Sequence, residues 1–351
     1  MSDAYYRVAT ADVFDLLIGW CPMTWLHRYA RFLCAATILL ITAGGMVTST
    51  GSGLAVPDWP NTYGQFMFAF PMSKMVGGIL YEHGHRMIAS IVGMLTIGMA
   101  VWLWRVEPRR WVRRLGLVAL AVVILQGLLG GITVLYFLPT PVSISHAGLA
   151  EIFFCLTICL TLFTSVGWRE SGAADTHLPV VRDQTLLALA TGLPVLVFVQ
   201  ILIGATMRHT GAGLAIPDFP LAFGRLVPPV WSFAIGVHFL HRVGAVVTTL
   251  LILATFGHLR AHHPSRHDLV RPSGLLVLLV LIQIGLGGWT VLSGRAPVIN
   301  TAHVATGAMV LGTALVIGLR TNRHRFPDAG RVASSPIGST DLKPSSPGTS
   351  I

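Results

Sequence analysis

Apolar and polar positions follow one another along this chain in long blocks rather than in short alternations. Eight apolar runs, at roughly 31–49, 76–104, 115–138, 144–167, 185–207, 231–257, 273–293 and 300–319, each approach the ~20 residues a helix needs to cross the hydrocarbon core of a bilayer. The pattern predicts an all-α integral membrane fold of eight transmembrane helices. The stretch from Phe14 to Trp25 is too short to span and reads as interfacial, and Asp3, Asp12 and Asp15 stand where a signal peptide would be basic. From Asp328 on the chain is rich in Ser, Pro and Gly and is expected to be disordered. The resulting division is a cytoplasmic or interfacial segment 1–30, a four-span unit 31–167, a second four-span unit 185–320 and a cytoplasmic tail 321–351.

Composition agrees with that reading. Apolar residues make up 53% of the 351 positions and charged residues only 11%, less than half of the ~25% usual in soluble proteins. The net charge of +10 would suit nucleic acid, but its location argues otherwise. Lys and Arg gather at Arg28/Arg31, in Arg105–Arg114, in His258–Arg271 and at Arg320–Arg325, whereas 50–75, 139–143, 208–230 and 294–299 hold few. By the positive-inside rule both termini are cytoplasmic and the two long loops face out. The basicity sets topology, and no nucleic-acid partner is expected. The four cysteines, Cys21, Cys34, Cys155 and Cys159, form no CxxC or CxxCH motif, so neither a zinc knuckle nor covalently attached haem is expected.

The chain is internally duplicated. Gly51-Ser-Gly-Leu-Ala-Val-Pro-Asp-Trp-Pro60 recurs as Gly211-Ala-Gly-Leu-Ala-Ile-Pro-Asp-Phe-Pro220, and Gln126-Gly-Leu-Leu-Gly-Gly-Ile-Thr-Val-Leu135 as Gln283-Ile-Gly-Leu-Gly-Gly-Trp-Thr-Val-Leu292. His85-Arg86 matches His241-Arg242 and His146 matches His303, at offsets of 160, 157, 156 and 157. Four spans per unit give both halves the same orientation, a parallel repeat about an axis along the membrane normal. Two four-helix bundles are expected side by side, helix 1 pairing with 5 and helix 4 with 8. Gly127, Gly130 and Gly131 in span 3, with Gly285, Gly287 and Gly288 in span 7, allow close approach of a neighbouring backbone or a flat ligand.

Of the 14 histidines, His258, His262, His263, His267 and His324 read as solvated among cytoplasmic arginines, as do His27 and His177. Four differ. His85, His146, His241 and His303 each open an even-numbered span, so all lie at one depth near the outer face. Ionisable groups inside a membrane are costly and by default functional. Two imidazoles facing each other in a four-helix bundle can clamp a planar macrocycle, its iron taking one nitrogen from each side. Zinc would need further ligands that the second repeat lacks. Two haem sites are expected, with Arg86 and Arg242 placed for propionates. Lys74, Arg208 and His209 stand near the same outer mouth. The repeat breaks three residues before each span-opening histidine, at Glu82 in the first half and His238 in the second, so the first pocket has a carboxylate for proton or cation chemistry. His83 points elsewhere on that helix and is an accessory at most. Asp58 and Asp218 occur in both loops and read as structural.

Glu82-His-Gly-His-Arg86, Ser145-His-Ala-Gly148, His238-Phe-Leu-His-Arg242 and Thr301-Ala-His-Val-Ala-Thr-Gly307, with the duplicated loop motif, resemble the signature segments of the haem A synthase family over roughly residues 30–320. The resemblance implies an oxidoreductase that turns the C8 methyl of haem O into the formyl of haem A by successive hydroxylations, in a bacterial plasma membrane. It implies a haem b cofactor on His241 and His303, and substrate haem on His85 and His146 with Glu82 as the essential acid. The partners implied are haem O synthase as substrate donor, a ferredoxin-like or membrane electron donor, and cytochrome oxidase assembly factors; homo-oligomer formation stays open. Some members carry a cysteine pair in the first outer loop, and 50–75 has none. A dihaem b-type electron carrier and a histidine-relay transporter remain as competing classes.

Overall fold

The computed structural model describes residues 22–170 and 181–326. The interfacial segment up to residue 21, Cys21, His177 and the tail from residue 327 lie outside the described residues. Eight long helices follow one another: α1 Pro22–Ser49, α2 Gly78–Val106, α3 Arg110–Leu135, α4 Thr140–Thr164, α5 Gln184–His209, α6 Phe233–His262, α7 His267–Leu292 and α8 Pro297–Thr321. All eight are long and apolar enough to cross a membrane, and no strand occurs among the described residues.

Several helices outrun their apolar runs because polar residues continue the helix beyond the hydrocarbon. α1 starts at Pro22 rather than near 31, with Leu26, Ala30 and Leu33 buried and the Arg28 guanidinium 4.8 Å from the Trp25 ring. α6 runs on to His262 and α7 begins at His267, which shortens the expected 258–271 loop to a few residues.

Each half closes on itself: α1 packs on α2, α2 on α3, α3 on α4 and α4 back on α1, and α5 to α8 repeat the ring. Leu33, Met99, Leu103 and Phe153 belong to the first core, Leu193, Ile252, Leu276 and Ile317 to the second. Between the halves, α4 meets α8 as expected, Phe154 and Ile158 packing on Ala308 and on Gly312, where a Cβ would come within 2.6 Å of Ile158. The expected pairing of helix 1 with helix 5 is not the principal contact. α1 packs on α8 and α5 on α4, and a twofold relation between the halves carries one of these contacts onto the other. Arg208 of α5 reaches α1, bonding the Gly45 carbonyl at 2.8 Å and Ser49 Oγ at 2.9 Å. α4 and α8 are the central helices, 50% buried, against 17% for α3 and α6. The histidines they carry are therefore walled by protein, while α3 and α6 face outward.

Candidate functional site

The two loops that carry the duplicated motif are built alike. Asp58 accepts the N–H groups of Tyr63 at 2.7 Å and Gly64 at 2.8 Å; Asp218 accepts those of Phe223 and Gly224 at the same distances. Tyr63–Gly64 and Phe223–Gly224 both have positive φ, the backbone of a tight hairpin turn, bridged by Thr62–Gln65 and Ala222–Arg225. Burial is the largest influence on the Asp58 carboxyl and would raise its pKa, but the Gly64 and Tyr63 amides and the Arg86 charge outweigh it and hold it low. The Gly224 amide does the same for Asp218. Both aspartates are loop anchors.

Each loop is bolted to its helix by the arginine following the site histidine. Arg86 donates to the carbonyls of Asp58 (2.6 Å), Val56 (2.9 Å) and Asn61 (3.2 Å). Arg242 donates to those of Asp218 (2.7 Å), Leu221 (2.7 Å) and Ile216 (3.3 Å). Both arginines thus hold the loops to their helices, satisfying among others the carbonyls of the buried residues Val56 and Ile216. The residues at the break in the repeat serve the same join. Glu82 Oε2 accepts the Val56 N–H at 2.7 Å and Oε1 pairs with Arg86 at 2.5 Å, while His238 Nδ1 accepts the Ile216 N–H at 3.3 Å. A buried carboxylate paired with a guanidinium in one half is replaced by a neutral ring in the other. His83 is buried against Thr62 Oγ1 at 3.0 Å and the Phe70 ring, away from any histidine pair.

Beneath the loops lie the four histidines, each seated on a glycine of the preceding helix. A Cβ would come within 3.0 Å of His85 at Gly44, 3.2 Å of His146 at Gly130, 2.9 Å of His241 at Gly204 and 3.0 Å of His303 at Gly287. The next glycines, Gly131 and Gly288, seat the loop aromatics Trp59 and Phe219. Gly130, Gly131, Gly287 and Gly288 therefore serve the site directly, whereas a Cβ at Gly127 or Gly285 would meet nothing within 4 Å; Gly44 and Gly204 were not legible from the duplicated motifs.

The His241 and His303 ring centroids are 6.4 Å apart. One metal ion bonded to both rings at ~2.0 Å, with roughly 1.2 Å from each nitrogen to its ring centre, needs about that separation. His303 Nδ1 lies 3.2 Å from the Gln283 carbonyl oxygen; donating there leaves Nε2 as the free base, the usual arrangement of a metal-bound histidine. Gln200 Nε2 lies 3.1 Å from His241 Nδ1 and donates to the His241 carbonyl at 2.7 Å. In the first half Gln126 donates to the His146 carbonyl at 2.9 Å and lies 3.4 Å from His146 Nε2, as Gln283 does from His303 Nε2, while His85 Nδ1 and His146 Nδ1 are buried without a close hydrogen bond. The donor set and glycine seats fit a macrocycle in both halves, and the second half adds Gln200 against one ring.

Two groups escaped the sequence reading. Glu151 of α4 is buried, and its Oε2 has no partner; an acidic residue inside span 4, with Ala308 at the matching place, was the available signal. At the opposite membrane face, His258 and His263 are not free in solvent. Both bond Asp183 Oδ2, at 2.6 Å and 2.9 Å, while Asp183 Oδ1 caps α5 through the Leu186 N–H. These hydrogen bonds, from His263 first and then His258, hold the Asp183 carboxyl far below the ordinary range. Among the described residues this is the one cluster of three such ligand groups within 4.8 Å of one another, and it lies apart from the paired histidines.

Comparison with known proteins gives a consistent picture. Residues 27–315 match the COX15-CtaA family, described as cytochrome oxidase assembly protein. The chain is 32% identical over 273 residues to the Heme A synthase of Shouchella clausii, covering 77% of this chain and 88% of that one. It is 31% identical over 262 residues to the Heme A synthase of Symbiobacterium thermophilum, covering 72% and 81%. Against that of Halalkalibacterium halodurans it is 28% identical over 307 residues, covering 86% and 99%.

Proposed function

Because the chain belongs to the COX15-CtaA family of cytochrome oxidase assembly proteins, we propose that it is a haem A synthase, an integral membrane oxidoreductase converting the C8 methyl of haem O to the formyl of haem A. The observation that carries this reading is the difference between two matched histidine pairs. One has Gln200 lying against the His241 ring in addition to the Gln283 contacts of His303; the other has the matching Gln126 contact with His146 but no counterpart of Gln200, and has a carboxylate at Glu82 three residues before His85. A resident cofactor suits the first arrangement and an exchanging substrate the second.

His241 and His303 would hold haem b, which supplies a one-electron redox centre within the membrane. His85 and His146 would receive haem O. The conversion amounts to two hydroxylations of one methyl followed by loss of water from the geminal diol. Glu82 is the acid–base group of the first half: it lies one helical turn before His85 and pairs with Arg86. Loop 50–75 covers the pocket, and the Val56 amide and Arg86 couple its position to the charge on Glu82. Haem O synthase as donor, a ferredoxin-like or membrane electron donor and cytochrome oxidase assembly factors are the partners this activity calls for.

The test is the chromatogram of haems extracted from the purified protein, made in cells that supply haem O. Haem b together with haem O or haem A supports the reading; haem b alone, equal in both halves, would favour an electron carrier, and a colourless protein a transporter. Orientation is tested separately. Alkaline phosphatase fused after residue 65 or 225 should be active and after 110 or 265 inactive, and the reverse would invert the sites.

A further inference from the structure

At the end of the second half away from the paired histidines, three side chains from two helices converge on one point. Asp183 is the N-cap of α5, and its two oxygens have separate tasks. Oδ1 accepts the Leu186 N–H at 3.1 Å, while Oδ2 faces His258 Nε2 at 2.6 Å and His263 Nε2 at 2.9 Å. His258 belongs to the closing turns of α6, and His263 is the residue that caps that helix. The side chains of Asp183, His258 and His263 are 23%, 16% and 24% exposed, so a solute ion can reach them. His262 supports the site from behind: its ring stacks on His258 with centroids 4.4 Å apart, and its Nδ1 donates to the His258 carbonyl at 3.2 Å.

The first half shows that the fold itself does not need this cluster. At the repeat offsets of 160 for α5 and 156 for α6, Asp183, His258 and His263 correspond to Met23, Trp102 and Glu107. There the two helices meet through packing, Tyr29 lying edge-on to Trp102 at 5.6 Å, and Glu107 turns to Arg109 at 2.7 Å. A junction that one copy closes with aromatic rings is closed in the other by two imidazoles and a carboxylate.

We propose that Asp183, His258 and His263 bind one divalent first-row transition ion, such as zinc, which clips the start of α5 to the end of α6. Two imidazole nitrogens and one carboxylate oxygen are a donor set that such ions take in three-ligand sites, with water in the remaining position. Calcium and magnesium favour oxygen ligands throughout and do not suit it. The three ligand atoms already lie within 4.8 Å of one another. Tetrahedral bonds of about 2.0–2.1 Å place ligand atoms roughly 3.3 Å apart, so each nitrogen need draw back from Oδ2 by only about half an ångström. Oδ1 meanwhile keeps its bond to the Leu186 N–H. The Arg266 charge close by is already balanced by Asp268 at 2.9 Å.

The experiment uses the full-length protein without a histidine tag, stripped with EDTA and brought to equilibrium by dialysis against zinc chloride. Elemental analysis should count one bound zinc ion per chain. X-ray absorption at the zinc edge, which the iron of a haem does not disturb, should show two imidazoles and oxygen neighbours at about 2.0 Å. Asp183→Asn and His263→Gln keep polar side chains of similar size, and each should weaken zinc binding by about 10-fold or more. His267→Gln, a nearby histidine outside the three, should leave it unchanged. Zinc should raise the Tm of the wild type and not that of the two ligand variants, because an ion that binds only the folded chain stabilises it. A cluster held by hydrogen bonds alone would bind no stoichiometric zinc, or the wild type and both variants would bind it equally; either result overturns the proposal. Should a variant lose the His241/His303 haem spectrum and with it the fold, the wild-type zinc edge decides alone, and an edge without two imidazoles overturns the proposal.

Discussion

The first and second halves share helix order, loop design and glycine-seated histidines, yet differ in how tightly those histidines are held. In the second half Gln200 lies against His241, and its side chain fills the hollow beside Gly244, where a Cβ would come within 2.1 Å of Gln200 Oε1. The matching residues of the first half are Leu40 and Ile88, so the polar side chain and the space for it are exchanged together. His303 Nδ1 has the Gln283 carbonyl, whereas His85 Nδ1 and His146 Nδ1 have no partner. Outer-shell bonds that orient metal ligands typically govern 10–100-fold in metal affinity. The duplicated scaffold thus differs between its copies in one polar side chain against a histidine ring, Gln200, and in the carboxylate at Glu82 where the other copy has His238; the proposed split into a retained and an exchanging haem rests on that difference.

The largest expected effect comes from removing that carboxylate. Glu82→Gln keeps an acceptor for the Val56 N–H and loses the acid–base group, so haem A formation should fall by ~10²-fold or more while the His241/His303 haem spectrum persists. Haem A made at the wild-type rate would leave Glu82 as a loop anchor alone. Next, His241→Ala or His303→Ala should abolish the low-spin haem b spectrum, and His85→Ala or His146→Ala should spare it; optical spectra of the four variants decide. Gln200→Leu with Gly244→Ile makes the second half resemble the first, and its haem should be bound roughly 10–100-fold more weakly when challenged with an apo-globin acceptor.

The smallest effect is at the end of the helices away from the paired histidines, where the halves also differ. Arg109 there pairs with Glu107 and the Phe163 carbonyl, whereas Asp183 gathers His258 and His263. A carboxyl held low by its histidine bonds stabilises the fold above the ordinary carboxylate pKa of ~3.9, and that contribution is lost as pH falls through its folded value. Asp183→Asn should therefore lower Tm by about 1–2 °C near neutral pH, with the difference shrinking in acid.

Most of the architecture was legible because membrane physics writes it coarsely: apolar block length marks helices, and a tandem duplication exposes matched positions. His85, His146, His241 and His303 emerged because ionisable groups stand out in apolar runs. What stayed hidden depends on contacts between distant segments. Gln200 is one polar residue in a long apolar run, and its meaning appears only when Gly244 and His241 surround it. Arg86 and Arg242 carried the right sign for propionates, but the loop carbonyls they bond lie 25 to 30 residues away in the chain for Arg86. The Asp183 cluster joins a helix start to residues 75 and 80 positions later. Glu151 is an acid in an apolar span matched by Ala308, a signal that belongs to no repeated motif and so does not stand out beside the paired histidines.

The claim that one half retains its haem while the other exchanges is tested most directly by following labelled haem O into the purified, haem-loaded protein over time. The account predicts that the label enters a site abolished by His85→Ala or His146→Ala, and that the haem held by His241 and His303 stays unlabelled over the same interval. Equal labelling of both sites, or faster labelling of the second, would contradict it.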